Sequence, residues 1–372
     1  MKPENYPWPA SRIVHLLGGC RAINIDGPLV RIEPNTVQGK TVQFSTQGYS
    51  AIYSDLKSIG LDVVGVDFYS HISEVKGETP PNWRVYNRTN ETSWASEETA
   101  QTWKGIAHSA FKKQNGHVWD LASRIGYQLR VCSWRIRQLS EAYHEQLLAR
   151  LQRGEAGEGQ HFEDGYTWLA YLAVQSALVD ACILRDYLAE FAANFVIGKR
   201  YGIDTKNVSS VGGLIKKVLN KVSKKDPLVD QLKNATGNSG WLKILGEYRD
   251  LVVHSAPLAH AEERLFAVSK VIKIDPEGSI PIINIPLPEN PGRISSNRAS
   301  RSQFSDFKRQ FDKFAGSAKG EAPSIDALTY MRHIHGMLSN LAKAIADESP
   351  IPYQDFVLRK DDILGPIRII NR

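Results

Sequence analysis

Cysteine is scarce in this chain: Cys20, Cys132 and Cys182 are the three among 372 residues, far apart and without a Cys-x-x-Cys pair. That spacing excludes a disulfide framework and a cysteine zinc site, and it suits a reducing cytoplasm. A charged leader followed by a sustained apolar run is also missing, because "IVHLL" near the N-terminus is too short to serve as one. Export is therefore not expected, and the sequons at Asn87 and Asn90 carry no glycosylation meaning. The most apolar segment, Tyr166 to Gly198, is interrupted by Gln175, Ser176 and Asp180 and then by Arg185, Asp186 and Glu190. No stretch of membrane-spanning length in it is free of charge, so it is expected at the centre of a bundle or in a dimer interface, not in a membrane. No internal repeat of useful length stands out.

What is present is a globular composition, with 42% hydrophobic and 23% charged residues and a net charge of +6. The surplus is concentrated: Lys199 to Lys243 holds ten basic residues against three acids, which leaves the remainder close to neutral. Such a field favours a polyanionic partner. Residues 1–117 read as a mixed α/β accessory region of unreadable role, with strand-like "TVQFST" and "LDVVGVDFYSHI", a short helix at "YSAIYSDLKSIG", and a loop through "KGETPPNWRVYNRTNETS". From Val118 the pattern turns to long helices. Ala122, Ile125, Leu129, Cys132, Ile136, Leu139, Tyr143 and Leu147 form one apolar stripe. The glycines of "RGEAGEGQ" come with Glu155 and Glu158, which would repel phosphate, so the segment reads as a hairpin loop between antiparallel helices. A basic third helix at "SSVGGLIKKVLNKV" follows, then a fourth from Trp241 to Ser255, a β-hairpin at about 264–287, helices at "SQFSDFKRQFDKFAG" and from Ile325 to Asp347, and a tail, 351–372, with one possible strand.

The fourth helix ends in "EYRDLVVHSAPLA". Pro257 disfavours helical geometry at Ala256, which puts His254 in the last turn, where the dipole and free carbonyls favour a protonated imidazole. Asp250, four residues earlier, lies on the same face and can orient the ring or stand as an exposed partner. Arg249 is five residues from His254, about 140° around an ideal helix, so one α-helix does not aim both at one atom, whereas a second copy across a two-fold axis does. A similar pair, Arg137 and His144, lies mid-helix without a terminator behind it.

Arg249-Asp250-Leu251-Val252-Val253-His254, near the end of a helix after long antiparallel helices, resembles the signature of HEPN ribonucleases. The resemblance covers roughly Val118 to Ser255, with Ile325 to Asp347 as an extra member. It implies a mostly α fold, an antiparallel HEPN-like bundle over 118–350 carrying the hairpin. It also implies a metal-independent endoribonuclease without cofactors, acting in prokaryotic antiviral defence or growth arrest as a homodimer with a composite site, with an antitoxin or defence-system partner. In that scheme His254 transfers protons, Arg249 stabilises the transition-state charge and Asp250 orients the imidazole. Lys216, Lys217, Lys221, Lys224 and Lys225 would hold RNA phosphates.

Plainer readings stand beside these. Arg249 and His254 can simply satisfy C-terminal carbonyls, the lysines can be a solvated face, and the whole can be a catalytically silent module that binds nucleic acid or a protein. A nucleotidyl-modifying enzyme is disfavoured by the absence of a glycine-serine metal-binding motif. Trp134, Trp168 and Trp241 are expected in core packing, His333 and His335 at the surface, and Cys132 and Cys182 buried.

Overall fold

The structure is a computed structural model that describes residues 11–70, 72–76, 79–90, 92–255, 266–274, 278–288, 291–292 and 325–354, with residues 25, 26, 72, 76, 254 and 255 described by backbone alone. Pro257, the helix expected at "SQFSDFKRQFDKFAG" and most of the C-terminal tail lie outside the described residues.

The chain opens with a six-stranded sheet that the sequence reading largely missed. Its strands are β1 (Ser11–Leu16), β2 (Arg21–Asp26), β3 (Leu29–Glu33), β4 (Val42–Ser45), β5 (Val63–Tyr69) and β6 (Asn82–Val85), with α1 (Ala51–Ser58) and α2 (Ile72–Lys76) between them. The spatial order is β4-β3-β2-β1-β5-β6, and every neighbouring pair is antiparallel. Among the described residues, 56% are helical and 18% are in strands, an α/β mix that overturns the expected mostly α HEPN-like bundle.

Side-chain alternation gives the sheet two different faces. Arg12 pairs with Phe68 and Val14 with Val66, while Ile13 pairs with Asp67 and His15 with Gly65. The first face receives Ile52, Tyr53 and Leu56 of α1, all buried. The second receives the long helix α4 (Gly116–Gln152), which follows α3 (Ala95–Lys112) after a tight connection. All eight positions of the apolar stripe on α4 are buried. At 37 residues this helix is roughly 55 Å long, so it spans both the sheet and the helical layer.

That helical layer consists of α3, α4, α5 (Gly165–Phe191) and a late helix that packs against all three. α5 starts with a capping box, in which Asp164 accepts from the Thr167 backbone and the Thr167 hydroxyl accepts from the Asp164 N–H. It continues through a π turn, Ala192–Ile197, into α6 (Gly198–Tyr201). This composite helix is long and apolar enough to cross a membrane, but 56% of its most apolar window is buried inside the protein, so its role here is that of a core helix.

Next come α7 (Val211–Lys217), α8 (Pro227–Thr236) and α9 (Trp241–Asp250), followed by a second small sheet and the late helix α10 (Ala327–Asp347). Ser210 caps α7 by accepting from the Gly213 N–H at 3.3 Å. In the small sheet β7 (His161–Phe162), β8 (Ala267–Ile274) and β9 (Gly278–Asn284) run antiparallel in that order. Strand β9 leans on the turn between β1 and β2, where the Ile282 side chain fills the space above Gly18. Buried residues of both sheets and of the helices form one continuous core. Trp103 of α3 is fully buried in it, donating to the Ala342 carbonyl of α10 at 3.1 Å and meeting the Phe191 ring edge-on at 4.7 Å.

Two aromatic expectations and one histidine expectation are corrected. Trp134 and Trp168 are about half exposed, whereas Trp241 packs against the core. His333 is exposed, but His335 is buried, with Nδ1 3.3 Å from the Ser96 hydroxyl. Cys132 and Cys182 are buried free thiols, as is Cys20.

Candidate functional site

The motif helix α9 lies on α5 and α8. Gly246 allows the close approach to α5, since a β-carbon there would sit 2.5 Å from Nη1 of the buried Arg185. That guanidinium donates to the Leu242 carbonyl at 3.4 Å and pairs with Asp186 at 3.2 Å. After Asp250 the helix widens into a π turn, Leu251–Ser255. Such a turn closes i→i+5 hydrogen bonds. Positions five apart in such a turn therefore lie closer around the axis than the roughly 140° of an ideal α-helix. Arg249 and His254 straddle this transition.

The Arg249 side chain is 30% exposed and reaches the Cys182 thiol on α5. Its Nε lies 3.3 Å from an Asp250 oxygen, a charge contact that lacks hydrogen-bond geometry, because the same nitrogen is buried without a hydrogen-bond partner. Asp250 is half exposed and turned toward Arg249. The His254 side chain lies outside the described residues, so its partners are not part of this geometry.

The five lysines sit before α8 in sequence, from α7 onward. Lys216, Lys221, Lys224 and Lys225 are exposed, and Lys217 donates to the Lys206 carbonyl at 2.6 Å. They do not share one helix: α7 ends at Lys217, and Leu219–Lys221 form a separate 3-10 turn. Arg200 is drawn out of this positive field by Asp226 and Glu348, each at 2.6 Å.

A second constellation, not singled out from the sequence as a site, lies between the sheet and α4. His15 Nε2 is 3.2 Å from Asp67, and its Nδ1 is 3.1 Å from the Ser140 hydroxyl. Arg137 grips Asp67 through two hydrogen bonds of 2.9 and 2.8 Å and reaches Glu141 at 3.0 Å, while Arg21 pairs with Glu141 from β2. His144, two turns after Arg137, lies 2.8 Å from the Gly19 carbonyl. Burial holds both histidines neutral, lowering His15 and taking His144 to about 4 with help from the Arg21 charge. Burial alone would raise Asp67, but hydrogen bonds from Arg137 and His15 outweigh it and keep the carboxyl at about 2.

His15, Asp67 and Glu141 place ligand atoms within 4.8 Å of one another. Both carboxylates already face guanidinium groups, so a cation entering between them would meet two like charges. The arrangement works as a neutral electrostatic clamp that ties the sheet to the helix. Its helical half was legible, since Arg137, Glu141 and His144 follow an i, i+4, i+7 spacing. Its sheet half was not, because neither His15 nor Asp67 stands in a recognisable motif.

No family description, curated protein or solved structure matches this chain.

Proposed function

We propose that the chain is a metal-independent endoribonuclease whose reactive pair is Arg249 and His254, the pair on which the resemblance to HEPN ribonucleases rests. The observation that carries the reading is the backbone passage from α-helix to π turn between them, which narrows the angle that separates five-apart positions on an α-helix. Partial exposure of the Arg249 side chain adds support, since a phosphate can approach it. In the reaction, His254 accepts the proton of a ribose 2′-hydroxyl, and the 2′-oxygen forms a bond to the adjacent phosphorus. The bond from phosphorus to the 5′-oxygen then breaks, and that oxygen takes up a proton. Arg249 offsets the charge that builds on the phosphorane oxygens. The products are a cyclic phosphate and a 5′-hydroxyl. Lys216, Lys221, Lys224 and Lys225 would add salt-sensitive, sequence-independent affinity. A homodimer, an antitoxin or defence-system partner and a cytoplasmic setting belong to the same reading.

One observation favours the alternative of a silent binding module. The Asp250 carboxylate is turned onto Arg249 and partly neutralises it. Incubating the purified protein with total RNA in EDTA, beside Arg249→Ala and His254→Ala, separates the two. The nuclease reading expects cleavage by the parent protein and a loss of about 10²–10⁴-fold in each variant. Undiminished cleavage in both variants would remove this site, and RNA binding without cleavage would establish the module.

A further inference from the structure

At the end of the sheet face covered by α1, three strands bring one aromatic ring and two guanidinium groups into a row. Phe68 of β5 lies directly across from Arg12 of β1, and Arg84 of β6 stands opposite Val66, one pleat along. The Arg12 guanidinium carbon is 4.6 Å from the Phe68 centroid and 4.5 Å from that of Tyr49, while Arg84 is 5.1 Å from Phe68. Trp94 meets the Phe68 ring edge-on at 5.2 Å, with Tyr86 beside it at 5.9 Å. All of these residues are partly exposed.

Among the described residues neither Arg12 nor Arg84 makes a salt bridge. Arg12 Nη1 donates only to the carbonyls of Ser11 and Tyr69, and its Nε is buried without a partner. Elsewhere in the molecule, arginines that meet carboxylates behave oppositely. Arg137 beside Asp67 and Arg200 beside Asp226 are held above the ordinary arginine value, whereas burial and the neighbouring Arg84 charge push Arg12 below it. With guanidinium carbons 4.6 and 5.1 Å from one ring centroid, Arg12 and Arg84 stand at most about 10 Å apart on either side of Phe68. A phosphate receiving about 2.8 Å bonds from both would bridge such a gap.

We propose that Arg12 and Arg84 form a binding site for the phosphate group of a nucleotide, with the partly exposed Trp94 and Tyr86 beside them as a surface for its base. Planar donors match phosphate oxygens, and aromatic faces accept any base without sequence preference. The site is independent of Arg249 and His254.

Calorimetric titration of the full chain at low salt tests this with three probes: adenosine 5′-monophosphate, inorganic phosphate and adenosine. The expected result is saturable binding of the monophosphate, weaker binding of phosphate and none of adenosine. Arg84→Gln should weaken monophosphate binding at least tenfold while circular dichroism stays unchanged. Should Arg84→Gln fold poorly, Arg84→Lys keeps the charge but loses the planar fork and should show the same weakening. Arg249→Ala should bind normally whether or not it cleaves RNA, which keeps this test separate from the nuclease reading. Absence of saturable monophosphate binding by the folded parent protein would overturn the proposal. So would binding that the Arg84 variants leave unchanged, or adenosine binding as tightly as its monophosphate.

Discussion

His15, His144 and His335 are buried in neutral form, and burial lowers all three from the ordinary value of 6.5, the latter two to about 4. In the unfolded chain they bind protons below about 6.5, while in the fold they do not. Their contribution is therefore present above that pH and is lost as pH falls from 6.5 toward 4. His144 and His335 each cost roughly 1.4 kcal/mol per pH unit across that window, and His15 acts in the same direction. Asp67 does not offset this, because its contribution persists above 3.8 and fades only as pH drops through about 2. Thermal melts should show the transition temperature falling between pH 6.5 and 5, with His144→Asn flattening the slope. A transition temperature independent of pH over that range would mean that these imidazoles take up protons in the folded state.

Elements differ in how openly the sequence announces them. α4 was legible because its stripe is apolar and uninterrupted, and the hairpin of β8 and β9 because two β-branched runs flank a turn. Of the first sheet only β4 and β5 read as strand-like, and β6 lies in a segment that reads as a loop; the strands are four to seven residues long and β1 puts a histidine into its buried face. One signal was available there: Asp26-Gly27 between "RAINI" and "PLVRIE" is a hairpin turn by chemistry. At the motif the sequence supplied an α-helical spacing, while the π turn depends on packing over α5 and α8 and leaves no residue signature. That turn makes a specific demand. Deleting Val253, which is 51% exposed, restores α spacing and leaves Arg249 and His254 four apart on one face. Cleavage by that variant should stay within about tenfold of the parent, whereas inserting one alanine after Val252 should cost about 10²-fold or more by turning His254 away. A folded deletion variant without activity would contradict the role given to the π turn.

At the scale of the molecule, the sheet and the helices share one core, so the region before residue 118 is part of the scaffold that positions α4 and α10. Trp103 contributes from α3, Arg21 and Asp67 satisfy charges on α4 that would otherwise stay unpaired, and His15 meets the Ser140 hydroxyl of the same helix. Losing such partners costs several kcal/mol. A chain beginning at residue 118 should accordingly lack a cooperative thermal transition by near-ultraviolet circular dichroism. A sharp transition at the parent temperature would show that the helical part folds alone. The measurement that bears most directly on the central claim compares a single-stranded RNA oligonucleotide with its all-2′-deoxy counterpart, each incubated with the parent protein in EDTA. Attack by a ribose hydroxyl predicts that the RNA yields fragments with 5′-hydroxyl ends and that the deoxy strand stays whole. An intact RNA, or equal cutting of both strands, would contradict it.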